Sequence, residues 1–191
     1  MNMNTFRKSI HFRLFLIFTS LIILLNSCDK IKELITVSIS TTIEGNIPIQ
    51  GNGGTALSPD LGVTKASFVL YDIKQDISIA DNPDLKPYLK KIQEIEIESV
   101  QVVFNGLQTD QTIDLITIDV LGDGTLVSLN NVTMSNNTFS PNVSSLLLKS
   151  VSDNLLKNNK ITVNIIVRAN SLINANVAIK MNAKIKAQAL D

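Results

Sequence analysis

The sequence has no tryptophan, one histidine and one cysteine, and only 5% of its residues are aromatic. The histidine is His11 and the cysteine is Cys28, so neither lies beyond the first 28 residues. The rest of the chain therefore lacks the residues for a Ser-His-Asp or Cys-His nucleophile and for a zinc site of the usual Cys/His type. An internal disulfide is also excluded, so packing must supply the stability.

The charges balance, with 17 basic and 17 acidic residues, and no run of basic residues is present. Binding to a nucleic-acid backbone depends on clustered Lys and Arg, so a nucleic-acid partner is not expected. The composition also points to no cofactor. Chemistry that uses carboxylates alone, or a Ca²⁺ site, stays open and needs support from specific residues.

The N-terminal residues have the pattern of a secretory signal peptide. Arg7, Lys8 and Arg13 precede an apolar core, residues 14–25, of 12 residues. A membrane-spanning helix needs roughly 20 apolar residues, so this core is too short to span a bilayer but matches a signal-peptide core.

The residues after this core, Leu25-Asn26-Ser27-Cys28, resemble the lipobox of bacterial lipoproteins. The resemblance implies that Cys28 carries a diacylglyceryl group and that cleavage before it removes residues 1–27. It implies a lipidated tether, residues 28–34, and a cell-envelope location. The Asn-, Ile- and Lys-rich composition resembles that of Bacteroidetes lipoproteins, which implies the outer membrane. Cleavage would leave 14 basic and 17 acidic residues.

Most of the remaining chain alternates between apolar and polar residues, the pattern of half-buried strands. Such stretches are residues 35–43, 67–73, 95–104, 113–120, 125–134, 161–167 and 177–189. The apolar phase slips near Ser99 and near Ile116, which predicts two β-bulges. Gly122-Asp123-Gly124 predicts a hairpin turn, and the connection 170–176 predicts a second hairpin.

Two stretches predict helices, and a third predicts a loop. Asn82 and Pro83 open a short amphipathic stretch that ends at Ile92, while Ser140-Pro141 opens a longer one that ends at Asn158. The Gly- and Pro-rich residues 45–62 predict a long loop. We therefore predict a single domain, residues 35–191, that is mainly β: an antiparallel β-sandwich or curved sheet of about eight strands with two short covering helices.

The densest acidic feature is Glu94, Glu96 and Glu98, which share one face of a strand. They could bind Ca²⁺ or serve as the paired carboxylates of a glycosidase, but a solvated sheet face is the simpler interpretation. Lysines follow the same spacing on the last strand, at Lys180, Lys184 and Lys186. Because like charges on a sheet face repel, we expect the two strands to share a sheet with both charged faces in solvent.

Other acids form no convincing site. Asp119 to Asp123 lacks the ligand run of a calcium loop, so a hairpin turn explains it better. Asp72, Asp76, Asp81 and Asp84 are scattered around loops and could bind a cation only at low affinity. We therefore expect no catalytic residue and no metal ligand, and Cys28 is the one functional residue assigned, as the lipid attachment site.

The expected function is a membrane-anchored, non-enzymatic interaction or structural domain of the cell envelope, with a protein or glycan partner. One alternative is a binding module for a glycan, lipid or other small ligand, which could use the loop at residues 45–62. A carboxylate-dependent hydrolase is a third possibility. A deep pocket would favour ligand binding, and a flat exposed apolar patch would favour a protein partner.

Replacing Cys28 with Ala should abolish lipid attachment. Wild-type protein should carry acyl mass, such as palmitate, on residue 28 and partition with membranes, because two or more acyl chains hold a protein stably. Mass spectrometry of the N-terminal peptide measures this directly. A wild-type protein found unacylated and freely soluble would contradict the lipobox interpretation.

Overall fold

In a computed structural model of the protein, residues 36–50, 55–57 and 68–189 are described, with only the backbone given for 55–57. The strands are β1 (Thr36–Ile49), β2 (Thr55–Leu57), β3 (Phe68–Ser78), β4 (Ile92–Asn105), β5 (Thr112–Val120), β6 (Gly124–Thr133), β7 (Thr138–Phe139), β8 (Lys160–Ala169) and β9 (Ala175–Gln188). One α-helix, α1 (Ser145–Asn158), and two 3-10 turns, Ile79–Asp81 and Lys86–Tyr88, complete the described elements. From Ser38 to Ala187 they form one compact unit.

The strands form two sheets that pack face to face as a sandwich. One sheet has the order β1-β9-β4-β7, and the other has the order β2-β3-β8-β5-β6. β4 pairs antiparallel with β9 and β7, and the second sheet is antiparallel throughout. The predicted fold class, a mainly β antiparallel sandwich, is confirmed.

The core lies between the sheets and is built from the alternating apolar positions. The inward residues of β8 are at most 2% exposed: Ile161, Val163, Ile165 and Val167. The facing positions of β9 are equally buried: Val177, Ile179, Met181, Ala183 and Ile185. Burying one such side chain stabilises the fold by roughly 1.5–3 kcal/mol, so this period of two supplies the main driving force.

The predicted hairpin between β8 and β9 is wrong, because the two strands lie in different sheets. β8 pairs with β3 and β5, whereas β9 pairs with β4. The connection crosses from one sheet to the other, and its Ile173 N–H donates a buried hydrogen bond of 2.9 Å to the Tyr71 hydroxyl. The sequence pattern could not distinguish the two arrangements. A strand that buries one face shows the same alternation whether the next strand pairs beside it or packs across the core.

Both predicted bulges are present. The register of β4 against β9 shifts between Ile97 and Ser99, and that of β5 against β8 shifts between Ile113 and Leu115. The predicted glycine turn is also confirmed, since it joins β5 to β6 with φ of 92° at Gly122 and 131° at Gly124. Two further register shifts, between Ile92 and Glu94 and between Ile118 and Asp119, were not predicted from the sequence.

Only the second predicted helix forms as an α-helix. α1 begins later than expected, with Ser144 rather than Ser140 as its N-cap, and it ends at Asn159 in the left-handed conformation with φ 59°. Ser144 Oγ accepts a hydrogen bond of 3.3 Å from the Leu147 N–H. Val151 and Leu155 are buried on its apolar face, as the four-residue spacing predicted.

The first predicted helix, Asn82 to Ile92, is instead a short turn segment. Pro87 lacks an N–H and would break a longer helix, so only the 3-10 turn Lys86–Tyr88 forms. Asn82 does cap the chain locally, because its side-chain oxygen accepts a hydrogen bond of 2.9 Å from the Asp84 N–H. The residue expected to close the helix, Ile92, begins β4.

The loop predicted at residues 45–62 begins later, because Gly45 to Ile49 belong to β1. Ile47 and Ile49 are fully buried, and Pro48 is tolerated because β1 lies at the edge of its sheet. A Cβ on Gly45 would lie 2.5 Å from Cδ1 and Cγ1 of Ile77. Gly45 therefore allows close packing within the sandwich rather than a turn. Residues 51–54 and 58–62 of the predicted loop lie outside the described residues.

Replacing Gly45 with Ala should lower the free energy of unfolding by about 1–3 kcal/mol, because the new methyl group overlaps Ile77. Replacing Ile77 with Val should cost about 0.5–1.5 kcal/mol alone. In the double variant the shorter side chain should relieve part of the overlap, so the combined loss should be smaller than the sum of the separate losses. Urea unfolding of the four proteins measures this, and simple additivity would show that Ile77 does not constrain Gly45.

Candidate functional site

A cleft of about 600 Å³ lies between the start of β4 and one face of α1. Its strand side is formed by Glu94, Ile95, Glu96, Ile97 and Glu98, and its helix side by Ser145, Leu148, Lys149, Ser152 and Asp153. The cleft thus joins the predicted glutamate row to helical residues that are distant in sequence. It is the candidate functional site of the described part of the chain.

The cleft exists because α1 covers an edge of the first sheet. β7 pairs only with Val102 and Val103, so among the described strands none lies beside the first half of β4 on that side. Ser152 Oγ accepts a hydrogen bond of 3.1 Å from the Ile97 N–H and donates one of 2.8 Å to the Leu148 carbonyl. Ser152 is only 3% exposed, so this hydroxyl satisfies a backbone group that would otherwise be buried and unpaired.

The glutamates lie on the solvent side of β4 and face lysines of β9. Glu94 is opposite Lys186, and Glu96 is opposite Lys184. Lys186 Nζ lies 2.8 Å from Glu94 Oε2, and Lys184 forms its ion pair diagonally with Glu98. The hydrogen bond from Lys184 to Glu98 raises the pKa of Lys184.

The predicted pairing of the glutamate-bearing strand with the lysine-bearing strand is therefore confirmed in its main features. The two strands share a sheet, and the glutamates and their lysine partners are exposed. Lys180 differs from the other two lysines, because it is opposite Gln101 rather than a glutamate. The outward orientation removes the geometric basis for a calcium site formed by three inward carboxylates.

Asp119 and Asp123, at the turn between β5 and β6, do not converge on one point. Asp119 accepts a hydrogen bond of 2.7 Å from Thr125 Oγ1, whereas Asp123 accepts one of 3.0 Å from Asn154 Nδ2 and another from Ser150. Asp123 thereby joins the hairpin turn to α1. The hairpin interpretation of this segment is supported, and Asp123 positions the helix while Asp119 is bonded within the hairpin.

Two of the scattered acids also have structural partners. Asp84 accepts a hydrogen bond of 3.1 Å from Thr41, and Asp76 accepts bonds of 2.6 Å from both Lys160 and Thr162. The Lys160 bond, and then the Thr162 bond, hold the pKa of Asp76 below its usual value. Because this pKa is lower in the folded than in the unfolded chain, the resulting stabilisation is present above the unfolded pKa and is lost as the pH falls through the folded pKa.

Among the described residues, no three His, Cys, Asp or Glu side chains are placed to hold a metal ion. Within the same ranges, no helix is long and apolar enough to cross a membrane. Cys28, the predicted lipid attachment site, lies outside the described residues.

Sequence reasoning found the strand side of the cleft but missed the helix side. The signal that could have found it is Ser152, a polar residue on the apolar face of α1 beside Val151 and one turn after Leu148. A small hydroxyl in that position often hydrogen-bonds the carbonyl four residues earlier, as it does here. Its second bond, to β4, depends on tertiary structure and has no local signal.

Comparison with known proteins gives no family assignment. No family model matches the chain, and no curated protein matches it. Among solved structures, turnip yellow mosaic virus is similar at 6% identity and a TM-score of 0.40, covering 81% of this chain and 83% of that chain. The decameric BFDV capsid protein is similar at 9% identity and a TM-score of 0.37, covering 80% of this chain and 99% of that chain.

A structure of TmCBM61 in complex with beta-1,4-galactotriose is similar at 7% identity and a TM-score of 0.26, covering 78% of this chain and 86% of that chain. Likenesses this weak carry no argument about function. The site must be interpreted from its own residues.

Replacing Glu94 with Lys should lower the free energy of unfolding by up to about 1 kcal/mol, because two lysines would then face each other across β4 and β9. The swapped pair, Glu94→Lys with Lys186→Glu, should recover most of that loss. Lys180→Glu serves as the control, because it faces Gln101 and should not couple to Glu94→Lys. Denaturant unfolding at low salt measures these effects. Absence of coupling between the stability changes at positions 94 and 186 would contradict a stabilising pair between Glu94 and Lys186.

Proposed function

We propose that the protein is a lipid-anchored lipoprotein of the cell envelope, located in the outer membrane, whose β-sandwich is a non-enzymatic interaction or structural domain. The observation that carries the proposal is Leu25-Asn26-Ser27-Cys28, placed directly after a basic segment and a 12-residue apolar core. Attachment through Cys28 gives the domain a membrane partner. The two sheets then form a stable body held close to that membrane.

The arrangement of polar residues supports a non-enzymatic role. The only His and the only Cys are His11 and Cys28, and the lipobox interpretation removes the first and acylates the second. The glutamates of β4 are exposed, whereas a carboxyl that acts as a general acid typically lies in an apolar pocket. Two of them are held in ion pairs with Lys184 and Lys186.

The second candidate function is binding of a small ligand, and the cleft between β4 and α1 favours it. Its volume of about 600 Å³ is in the usual range of ligand pockets, roughly 300–1,000 Å³. Its lining mixes Leu148 and two buried isoleucines with carboxylates, a lysine and serines. These groups would suit a polar ligand with one apolar side.

The aromatic side chains of the described residues are poorly placed to bind a glycan. Sugars usually stack on exposed aromatic faces, but Tyr71 and Phe104 are buried at 1% exposure. Phe139 packs edge to face with Phe104, and the Arg168 guanidinium covers the Phe68 ring at 5.1 Å. Tyr88, half-buried in the turn segment, is the remaining described aromatic side chain of the domain.

Fractionation of cells combined with an activity screen tests the proposal. Wild-type protein should remain with membranes in high salt and be released by detergent, because the acyl chains rather than charges hold it. The acylated protein should show no turnover of glycoside, ester or peptide substrates, with or without Ca²⁺.

Two results would contradict this proposal. Release of the wild-type protein by salt alone would exclude a lipid anchor. Robust turnover that is lost in Glu94→Gln, Glu96→Gln or Glu98→Gln, but kept in the control variant Lys74→Gln, would establish a carboxylate-dependent hydrolase. Saturable binding of a small ligand that Glu96→Gln weakens and Lys74→Gln does not would favour the second candidate over the interaction domain.

A further inference from the structure

The end of β4 carries an asparagine that is followed directly by a glycine. Asn105 is the last residue of the strand, and Gly106 begins the loop that leads to β5. Both residues are exposed to solvent. We propose that Asn105 is a site of spontaneous deamidation, at which the side-chain amide is converted to a carboxylate. This modification needs neither a lipid anchor nor a partner, so it does not depend on the proposed function.

The reaction uses only this dipeptide and water. The backbone nitrogen of Gly106 attacks Cγ of Asn105, so that a new N–Cγ bond forms and the Cγ–Nδ2 bond breaks. Ammonia leaves with the proton that the Gly106 nitrogen gave up, and a succinimide ring remains. Water then opens the ring at either carbonyl. One product is aspartate, and the other is isoaspartate, in which the main chain runs through the former side chain.

The glycine after Asn105 makes this attack sterically easy, because it has no Cβ beside its nitrogen. The fold also requires glycine there. Gly106 has φ of 92°, in the left-handed region, and a Cβ at this position would lie 3.1 Å from the carbonyl oxygen of Asn174. The structural demand of the turn thus places the least hindered neighbour next to an exposed asparagine.

Other contacts leave the reacting groups free. Within the described ranges, no hydrogen bond holds the side chain of Asn105, and the Gly106 N–H donates none. Asn105 is opposite Asn176, and this is the last residue pair between β4 and β9. Terminal pairs of a sheet open most readily, so the backbone of Asn105 can rotate until its side chain meets the next nitrogen.

Asn170, which precedes Ser171, provides a comparison within the same domain. It is also exposed and is followed by a small residue. Its Oδ1 accepts a hydrogen bond of 2.9 Å from the Thr112 N–H, and its Nδ2 donates one of 3.1 Å to the Asp110 carbonyl. Both bonds must break before Cγ of Asn170 can react. We therefore expect the fold to protect Asn170 but not Asn105.

Deamidation at this position would alter the loop between β4 and β5. Either product adds a negative charge next to a loop that already contains the exposed Asp110. Isoaspartate also lengthens the main chain by one carbon, where Gly106 has little room beside Asn174. The longer chain should push the loop away from the connection between β8 and β9 and lower the midpoint of thermal unfolding.

Incubation of the purified full-length protein at mildly alkaline pH tests the assignment. Cleavage after acidic residues isolates residues 99–110, and trypsin isolates residues 169–180. Fragmentation mass spectra then measure the replacement of each amide by a carboxylate. Asn105 should lose its amide about tenfold faster than Asn170, or more, because two hydrogen bonds delay the second site. Equal rates, or an intact Asn105, would overturn the proposal.

The same incubation in guanidinium chloride separates the effect of the fold from that of the dipeptide. Unfolding removes both hydrogen bonds of Asn170, so its reaction should accelerate about tenfold or more, whereas the rate at Asn105 should change little. If folding protected Asn105 as strongly as Asn170, the end of β4 would not be an open site and the proposal would be wrong.

The variant Asn105→Gln serves as the control for the structural effect, because its longer side chain forms the corresponding ring much more slowly. Each protein is compared with its own sample before incubation. The midpoint of thermal unfolding should fall with incubation in the wild type and stay constant in the variant. An equal fall in both proteins would show that the change does not originate at position 105.

Discussion

The covered edge of β4 is the constraint on which much of this structure depends. A strand at the edge of a sheet exposes backbone groups that must pair with something or be protected. Here β7 pairs with only two residues of β4, and α1 covers the remaining half through the bond between Ser152 and the Ile97 N–H. Because the helix must lie there, the cleft forms beside it, and the glutamates of β4 are left on the open face.

Local sequence was sufficient to predict most of the strands, because burial of one strand face leaves a period of two that does not depend on which strand pairs with which. The bulges near Ser99 and Leu115 follow from the same logic, since a one-residue slip moves every later side chain to the other face. The pairing of β4 with β9 could be inferred only because charge adds a second signal. Glu94 and Glu96 match lysines in antiparallel register.

Features that depend on distant contacts could not be predicted in this way. Gly45 resembled a loop residue because nothing nearby in sequence shows that Ile77 fills the space beside it. β8 and β9 resembled a hairpin because a short connection can either reverse within a sheet or cross the core. The helix side of the cleft was missed for the same reason, since Ser152 contacts β4 from 55 residues away.

The acidic residues show how structural demands decide which surfaces remain for function. Asp76 is bonded to Lys160, Glu94 and Glu98 are paired with lysines of β9, and Asp123 fixes α1 to a hairpin turn. Each interaction sets a register or docks an element, and these exposed pairs do so at little energetic cost or gain. With no disulfide available to fix the same geometry, such polar contacts supply specificity while the apolar layer supplies stability. On β4, the glutamates thus help to fix the register of that strand against β9.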